Sequence, residues 1–417
     1  MGPNGDYAIK SSGLGSGCLT KLGAALCLLL LLVYGMLWSG TVQQIGGSDN
    51  YVRQTSFLAP LTGALIVAGD RPRQLYDGAT QQAAQTLARG AEVDAGRLLP
   101  YLDPPPVALA LAPLTRAGLP YTILFTAWAV VTTTAAGLCV GLLAGRWPAP
   151  QGTPWLLMLA CTSFLPLISS LMLGQNAVPA LLGWVGATVA LKGRRDWLAG
   201  AAGALAGLQP ASAPALLLAL MVARRPRAVL ALLAVWLGAA LALTPLLGGD
   251  WPARYARFFW QEQGGAQGGA PVAVALAAGA LALALAAVTW TRRASADLSA
   301  TWDLRWALTL LAGLLPVIAL GVNALALAVA PAWIIGTHVA TGRLRAGVRL
   351  FWLLWLWLGY AGGLAIALEP AAYAPLGAVW TAGAVAALFW TLRAPAAAPE
   401  WMRDDAGERS GAALDAG

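Results

Sequence analysis

Apolar runs of close to 20 residues recur along this chain, and the gaps between them are mostly short and basic. A helix of that length crosses a hydrocarbon core of about 30 Å. Inside lipid the backbone must satisfy its own hydrogen bonds, which helical runs do. Only 11% of the 417 residues are charged and 59% are hydrophobic. Soluble domains carry about a quarter charged residues, so most of this surface must face lipid. The sequence therefore predicts an all-α, polytopic integral membrane protein.

The first run is Leu22–Trp38, and later spans are expected near 119–145, 154–172, 176–191, 228–247, 271–290, 304–321, 323–341, 348–367 and 376–392. With the short run Pro106–Ala117 counted either way, the total is about 10 to 12 spans. That short run is a thin transmembrane helix or a helix lying against the outer face. Basic clusters mark the cytoplasmic side. They are Lys192-Gly193-Arg194-Arg195, Arg224-Arg225-Pro226-Arg227, Arg292-Arg293, Arg343-Leu344-Arg345 and Arg393. Leu198–Val222 begins and ends beside two such clusters, so one full span would put one cluster outside, which the basic-residue bias disfavours. A pair of half-helices turning back at Gln209-Pro210 satisfies both clusters, provided protein shields the break.

This divides the chain into a cytoplasmic N-terminal segment (1–21), a membrane domain (22–393) and a disordered cytoplasmic tail (394–417). Within the membrane domain, 39–103 forms a helical first outer loop, and Thr244–Gln267 is a second outer loop. The start has no convincing small-x-small cleavage pattern, so Leu22–Trp38 reads as a retained anchor.

Several functions are disfavoured. The net charge of +8 is spread over short loops rather than gathered into a nucleic-acid patch. Cys18, Cys27, Cys139 and Cys161 lack metal-ligand spacing, and the last three lie in apolar runs, where they read as small hydrophobes. His338 is the single histidine, which argues against a His-rich metal centre. It reads as a polar helix end.

Polar chemistry gathers instead in the outer loops. Asp49-Asn50-Tyr51 follows the first span, and Leu75-Tyr76-Asp77 with Gln81 follows a helix-like run over Ser56–Ala68. Leu99-Pro100-Tyr101-Leu102-Asp103-Pro104-Pro105 closes the loop. Leu173-Gly174-Gln175-Asn176 and Gln209-Pro210 interrupt apolar sequence further on. The carboxylates have two readings each. Asp49 is a general base or a helix cap, Asp103 a catalytic acid or a turn former, and Asp77 reads as the cap of the helix Gly78–Arg89. Gln175 and Asn176 bind substrate or pair helices. Arg254 and Arg257 alternate with aromatic residues, as in an interfacial belt or a lipid-phosphate site.

Taken in order, these motifs resemble the polytopic glycosyltransferases of GT-C type, in particular glycosyltransferase family 87 (formerly DUF2029), the polyprenol-phosphate-mannose-dependent mannosyltransferases. The resemblance covers roughly the first 260 residues. It implies inverting, metal-independent transfer of a hexose or pentose, mannose above all. The donor it implies is a polyprenyl-phosphate-linked sugar and the acceptor a glycan or glycolipid. The reaction then takes place at the outer face of the cell membrane, without a cofactor. It further implies an acid in the first outer loop as the base, Asp49 or its rival Asp103. Tyr51, Tyr76, Gln175, Asn176, Gln209, Arg254 and Arg257 are the substrate-binding candidates. Two departures stand out. Aligned on Gly63-Ala64-Leu65 and Leu75-Tyr76-Asp77, the column of the usual acid falls at Thr55 or Ser56, so Asp49 sits six or seven residues early. The usual Lys-Pro is here Gln209-Pro210, while Asp103 puts an acid where a neutral residue is usual.

Two other classes compete with the enzyme. A transporter or flippase should carry ionisable groups inside its spans, and the later spans are nearly free of charge at their centres. A catalytically inactive member of the same fold accounts for the displaced acid.

Overall fold

The computed structural model describes residues 55–94, 98–148, 157–158, 161, 164–267, 269–291, 298–320, 322–341 and 373–393, with 25, 28, 29 and 32 as isolated positions. Asp49, Tyr51, the span expected at 348–367 and the tail from 394 lie outside the described residues, as does nearly all of Leu22–Trp38. The described residues are helical and contain no strand.

The first described helices are α1 (Leu58–Ala68), α2 (Gly78–Arg89) and α3 (Pro105–Arg116). Next come α4 (Tyr121–Arg146), α5 (Leu165–Met172), α6 (Ala177–Lys192), α7 (Asp196–Gly203), α8 (Ser212–Val222) and α9 (Pro226–Leu247). The remainder is α10 (Trp251–Gln267), α11 (Gly269–Thr291), α12 (Leu298–Leu320), α13 (Val329–Ala340) and α14 (Tyr373–Arg393). By length and composition, α4 and α9, at 26 and 22 residues, suffice to cross a membrane. Their outer faces agree with that reading, since Leu230, Leu237 and Leu241 of α9 and Val130 and Val131 of α4 are exposed. Such faces suit lipid rather than water. The threonines inside α4 do not conflict, because Thr126, Thr132 and Thr134 each donate to the carbonyl four residues back.

Asp77 caps α2 as expected: its carboxylate accepts from the Thr80 amide at 2.9 Å. The run Pro106–Ala117 forms the 12-residue α3, about 18 Å long at 1.5 Å per residue. That is too short to span, and α3 packs instead on α1, where a Cβ at Gly63 would lie 3.0 Å from Ala108.

The segment between the two basic clusters folds back on itself. A Cβ at Gly186 of α6 would meet Ala202 of α7 at 3.0 Å, so α7 returns antiparallel to α6. Leu216 of α8 in turn touches Gly203. Arg225, just beyond α8, lies 3.6 Å from Asp196, the first residue of α7. Both ends of the segment therefore meet, and Gln209-Pro210 is the apex. Gln209 leaves the helix (φ −116°, ψ 111°) because the following proline disfavours αR geometry. A short 3₁₀ turn, Ala204–Leu208, leads into it.

One expectation needs correction and two gain detail. The loop expected over Thr244–Gln267 is largely helical: α9 runs on to Leu247, and after a turn at Gly248 (φ +89°) the chain forms α10. The span expected at 323–341 is broken into a 3₁₀ segment, Val322–Ala328, and α13. His338 does lie at a helix end, in the last turn of α13, but not an open one. It is 2% exposed, and its Nε2 lies 3.2 Å from Asp303 Oδ2. The other oxygen of Asp303 takes the Lys192 ammonium at 2.5 Å. This ion cluster ties α6, α12 and α13 together at the basic end of α6. Around it lies the main core, in which Trp184, Trp306 and Trp333 are fully buried.

Candidate active site

At the opposite end of α6 three irregular segments meet, and each is held there by identifiable bonds. The first is the extended stretch Leu99–Asp103. Gln81 and Gln85 lie one turn apart on α2, so both amides face the same way. Gln85 exchanges two hydrogen bonds with the backbone of Leu99. Gln81 accepts from Tyr101 N at 2.8 Å and donates to Leu75 O at 2.8 Å. The two glutamines thus pair with alternate residues of an extended strand as a neighbouring strand would. Tyrosines fix the rest: Tyr76 donates to Asp103 O at 2.9 Å, Tyr255 to Leu102 O at 3.2 Å and Tyr101 to Pro104 O at 2.7 Å.

The second segment is the turn between α5 and α6. Gly174 adopts φ +69°, which ends α5 in a left-handed cap. A side chain there would also strike Phe57. Its carbonyl accepts from the Trp128 indole at 3.1 Å. The cap turns Gln175 and Asn176 inward, and Gln175 donates to Ser56 Oγ at 3.3 Å. The third segment is the Gln209 apex.

Together they enclose a cavity of about 210 Å³ whose polar lining is Ser56, Asp103, Gln175, Asn176 and Gln209. Asp103 is the single ionisable group among the described residues that line it. Burial pushes that carboxyl up to about 6, and the Asn176 amide, which donates to it, offsets part of the rise. The side-chain oxygens of Gln175, Asn176 and Gln209 are all buried and accept no hydrogen bond from a described residue. Buried polar groups are nearly always paired, so three unmet acceptors around one carboxylate single this cavity out as the candidate site.

A second cavity, of about 500 Å³, opens on the far side of Tyr76 and is lined by Arg73, Gln74, Asp77, Arg254, Arg257, Phe258 and Gln261. Tyr76 packs against Tyr255 at 4.9 Å and Tyr101 at 6.1 Å, so this aromatic wall both faces the second cavity and holds the Asp103 loop. Arg254 is already engaged. It donates to Arg73 O at 2.7 Å and to Leu247 O, and lies 3.3 Å from Asp250. Arg73 and Arg257 are exposed at the rim.

Of the residues chosen from sequence, Asp103, Gln175, Asn176 and Gln209 converge on one cavity. Tyr76, Arg254 and Arg257 line the other. Gln175 therefore shares no cavity with Arg254 or Arg257, because the tyrosine wall stands between them. Asp49 and Tyr51 lie outside the described residues. Sequence reasoning missed Arg73 and Tyr255. The run Arg71-Pro72-Arg73 just before Tyr76 was the available signal for the first.

The family model of glycosyltransferase family 87 matches residues 101–320, just over half of the chain, and its match contains Asp103, Gln175, Asn176 and Gln209. No curated protein and no solved structure matches the chain.

Proposed function

This chain belongs to glycosyltransferase family 87, and from that premise we propose that it moves a hexose or pentose, mannose above all, from a polyprenyl-phosphate donor to a hydroxyl of a glycan or glycolipid. Family membership sets the transporter reading aside. The observation that carries the proposal is the cavity with a single carboxylate among amides, beside a separate cavity rimmed by arginines. Asp103 takes the proton from the acceptor hydroxyl. The freed oxygen attacks the anomeric carbon from the face opposite the phosphate, and the bond from that carbon to the phosphate oxygen breaks. Configuration inverts, and polyprenyl phosphate leaves with the bonding electron pair. A base with its pKa near neutrality suits this step better than an ordinary carboxylate. Arg73 and Arg257, at the rim of the neighbouring cavity, attract the anionic donor to the site. No step needs a metal.

The direct test is transfer of labelled sugar by purified protein in lipid nanodiscs. Polyprenyl-phosphate hexose should support it and a nucleotide sugar should not. Arg73→Ala and Arg257→Ala should each raise the donor KM, and the double variant should raise it roughly tenfold or more, as loss of charge-assisted bonds of about 1.5–3 kcal/mol implies. An unchanged donor KM in the double variant would reduce that rim to a membrane anchor.

The catalytic end faces away from the cytoplasm in this reading, since Lys192–Arg195 and Arg224–Arg227 sit at the other end of α6 and α8. Single cysteines at Arg195 and Arg227, in a background free of native cysteines, should resist an impermeant thiol reagent added outside cells. Labelling of either from outside would reverse the orientation.

A further inference from the structure

The polar lining of the smaller cavity is unusual in its balance of donors and acceptors. Asn176 gives one N–H to Asp103 and Gln175 gives one to Ser56, and each amide nitrogen carries a second N–H. The amide oxygens of Gln175, Asn176 and Gln209 are all buried and unpaired among the described residues, beside a carboxylate. Among the described residues no cationic side chain lines the cavity. A phosphate or carboxylate placed here could use the spare N–H groups but would face three unmet oxygens and a like charge at Asp103. A hydroxyl both donates and accepts, so it suits both sets of groups. The volume of about 210 Å³ also falls below the roughly 300–1,000 Å³ of sites that enclose drug-sized ligands, so a single ring is the unit that fits.

We infer that the Gln175–Asn176–Gln209 oxygens form a subsite for one uncharged, hydroxyl-rich sugar ring, which they select by accepting its O–H groups and from which they exclude anionic groups. This rests on the proposed transfer reaction and narrows its acceptor to a neutral terminal sugar. Phosphorylated parts of either substrate must then lie outside the cavity. Gln209 is the member that sets specificity, because it sits on the apex of the α7–α8 hairpin and touches neither Asp103 nor Ser56 through any bond described above.

The experiment measures binding directly, in nanodiscs, by calorimetry with three probes: an octyl hexopyranoside, its per-O-methyl counterpart and octyl phosphate. The free glycoside should bind. Methylation keeps every acceptor but removes every donor, and should weaken binding by tenfold or more, since several bonds worth about 0.5–1.5 kcal/mol each are lost. Gln209→Leu should weaken the free glycoside by roughly three- to tenfold and leave octyl phosphate unaffected. Equal binding of the free and methylated glycosides overturns the inference, as does octyl phosphate binding that Gln209→Leu weakens. Absence of glycoside binding overturns it too. The methylated probe is read on the unmodified protein, so misfolding of the variant cannot mask the answer. If these binding results fail while transfer from polyprenyl-phosphate sugar persists, only this inference falls. If the glycoside binds as described and no such donor supports transfer, the proposed reaction falls instead.

Discussion

Asp103→Asn is expected to lower sugar transfer by about a hundredfold to ten-thousandfold, the usual loss when a general base is removed. The protein should nevertheless fold at least as well as before. The sign follows from linkage. Burial raises the folded-state pKa of Asp103 from 3.8 to about 6, so the folded protein binds this proton more tightly than the unfolded chain. The carboxyl therefore favours folding below about pH 4, and that contribution is lost as pH rises through 6. At pH 7 the buried charge is a liability, which asparagine removes. Thermal unfolding of Asp103→Asn in nanodiscs should occur at an equal or higher temperature at pH 7, and the difference should vanish near pH 4. The unmodified enzyme should lose kcat as pH falls below about 6, where its base becomes protonated. Ser56 lies on the same cavity, and Thr55 or Ser56 fills the column where the resembling enzymes carry their acid. The double variant Ser56→Asp with Asp103→Asn should therefore recover part of the lost rate. Full activity in Asp103→Asn would return the role to Asp49.

The features legible in the sequence were those set by neighbours along the chain. Pro210 forces Gln209 out of a helix, Gly174 ends α5, and Asp77 caps α2. Each is a local steric or hydrogen-bonding event that a short window of residues determines. The hairpin apex at Gln209 was legible for a different reason, since two basic clusters on one side demand a chain that returns. What could not be read were contacts between distant segments. Asp303 and His338 are 35 residues apart, so the sequence showed a histidine near a helix end and not its buried carboxylate partner. Arg254 spends its guanidinium on Arg73 O, 181 residues away, and this contact with those to Leu247 O and Asp250 separates it from its neighbour Arg257. The position of Gln175 relative to the arginines depends on the tyrosine wall, whose members come from α10 and from the loops on either side of α2. No periodicity records such a wall.

Gly200→Ala should be the most damaging small change in the membrane domain. A methyl at this position would land on the carbonyl oxygen of Ala228 and against Ala231 and the Leu232 backbone. These are backbone and Cβ atoms of α9, which cannot rotate away as the tip of a long side chain would. The helices must separate instead, and overpacking of this kind typically costs about 1–3 kcal/mol. A valine should cost more and prevent accumulation of folded protein. Gly238→Ala is the control. It lies in α9 with nothing within 4 Å of its Cβ position, and alanine gains about 0.8–1 kcal/mol over glycine in a helix. The two substitutions make the same chemical change in neighbouring helices, yet their unfolding temperatures should move in opposite directions. The functional consequence follows from geometry. α7 carries the apex, so pushing α7 away from α9 moves Gln209 relative to Asn176 and Asp103 while leaving the arginine rim in place. Gly200→Ala protein that still folds should therefore lose affinity for the acceptor with little change in the donor KM. If it matches Gly238→Ala in stability, α7 and α9 are not in the close contact that positions the apex. A rise in donor KM alone would mean that the hairpin serves the phosphate side and not the neutral cavity.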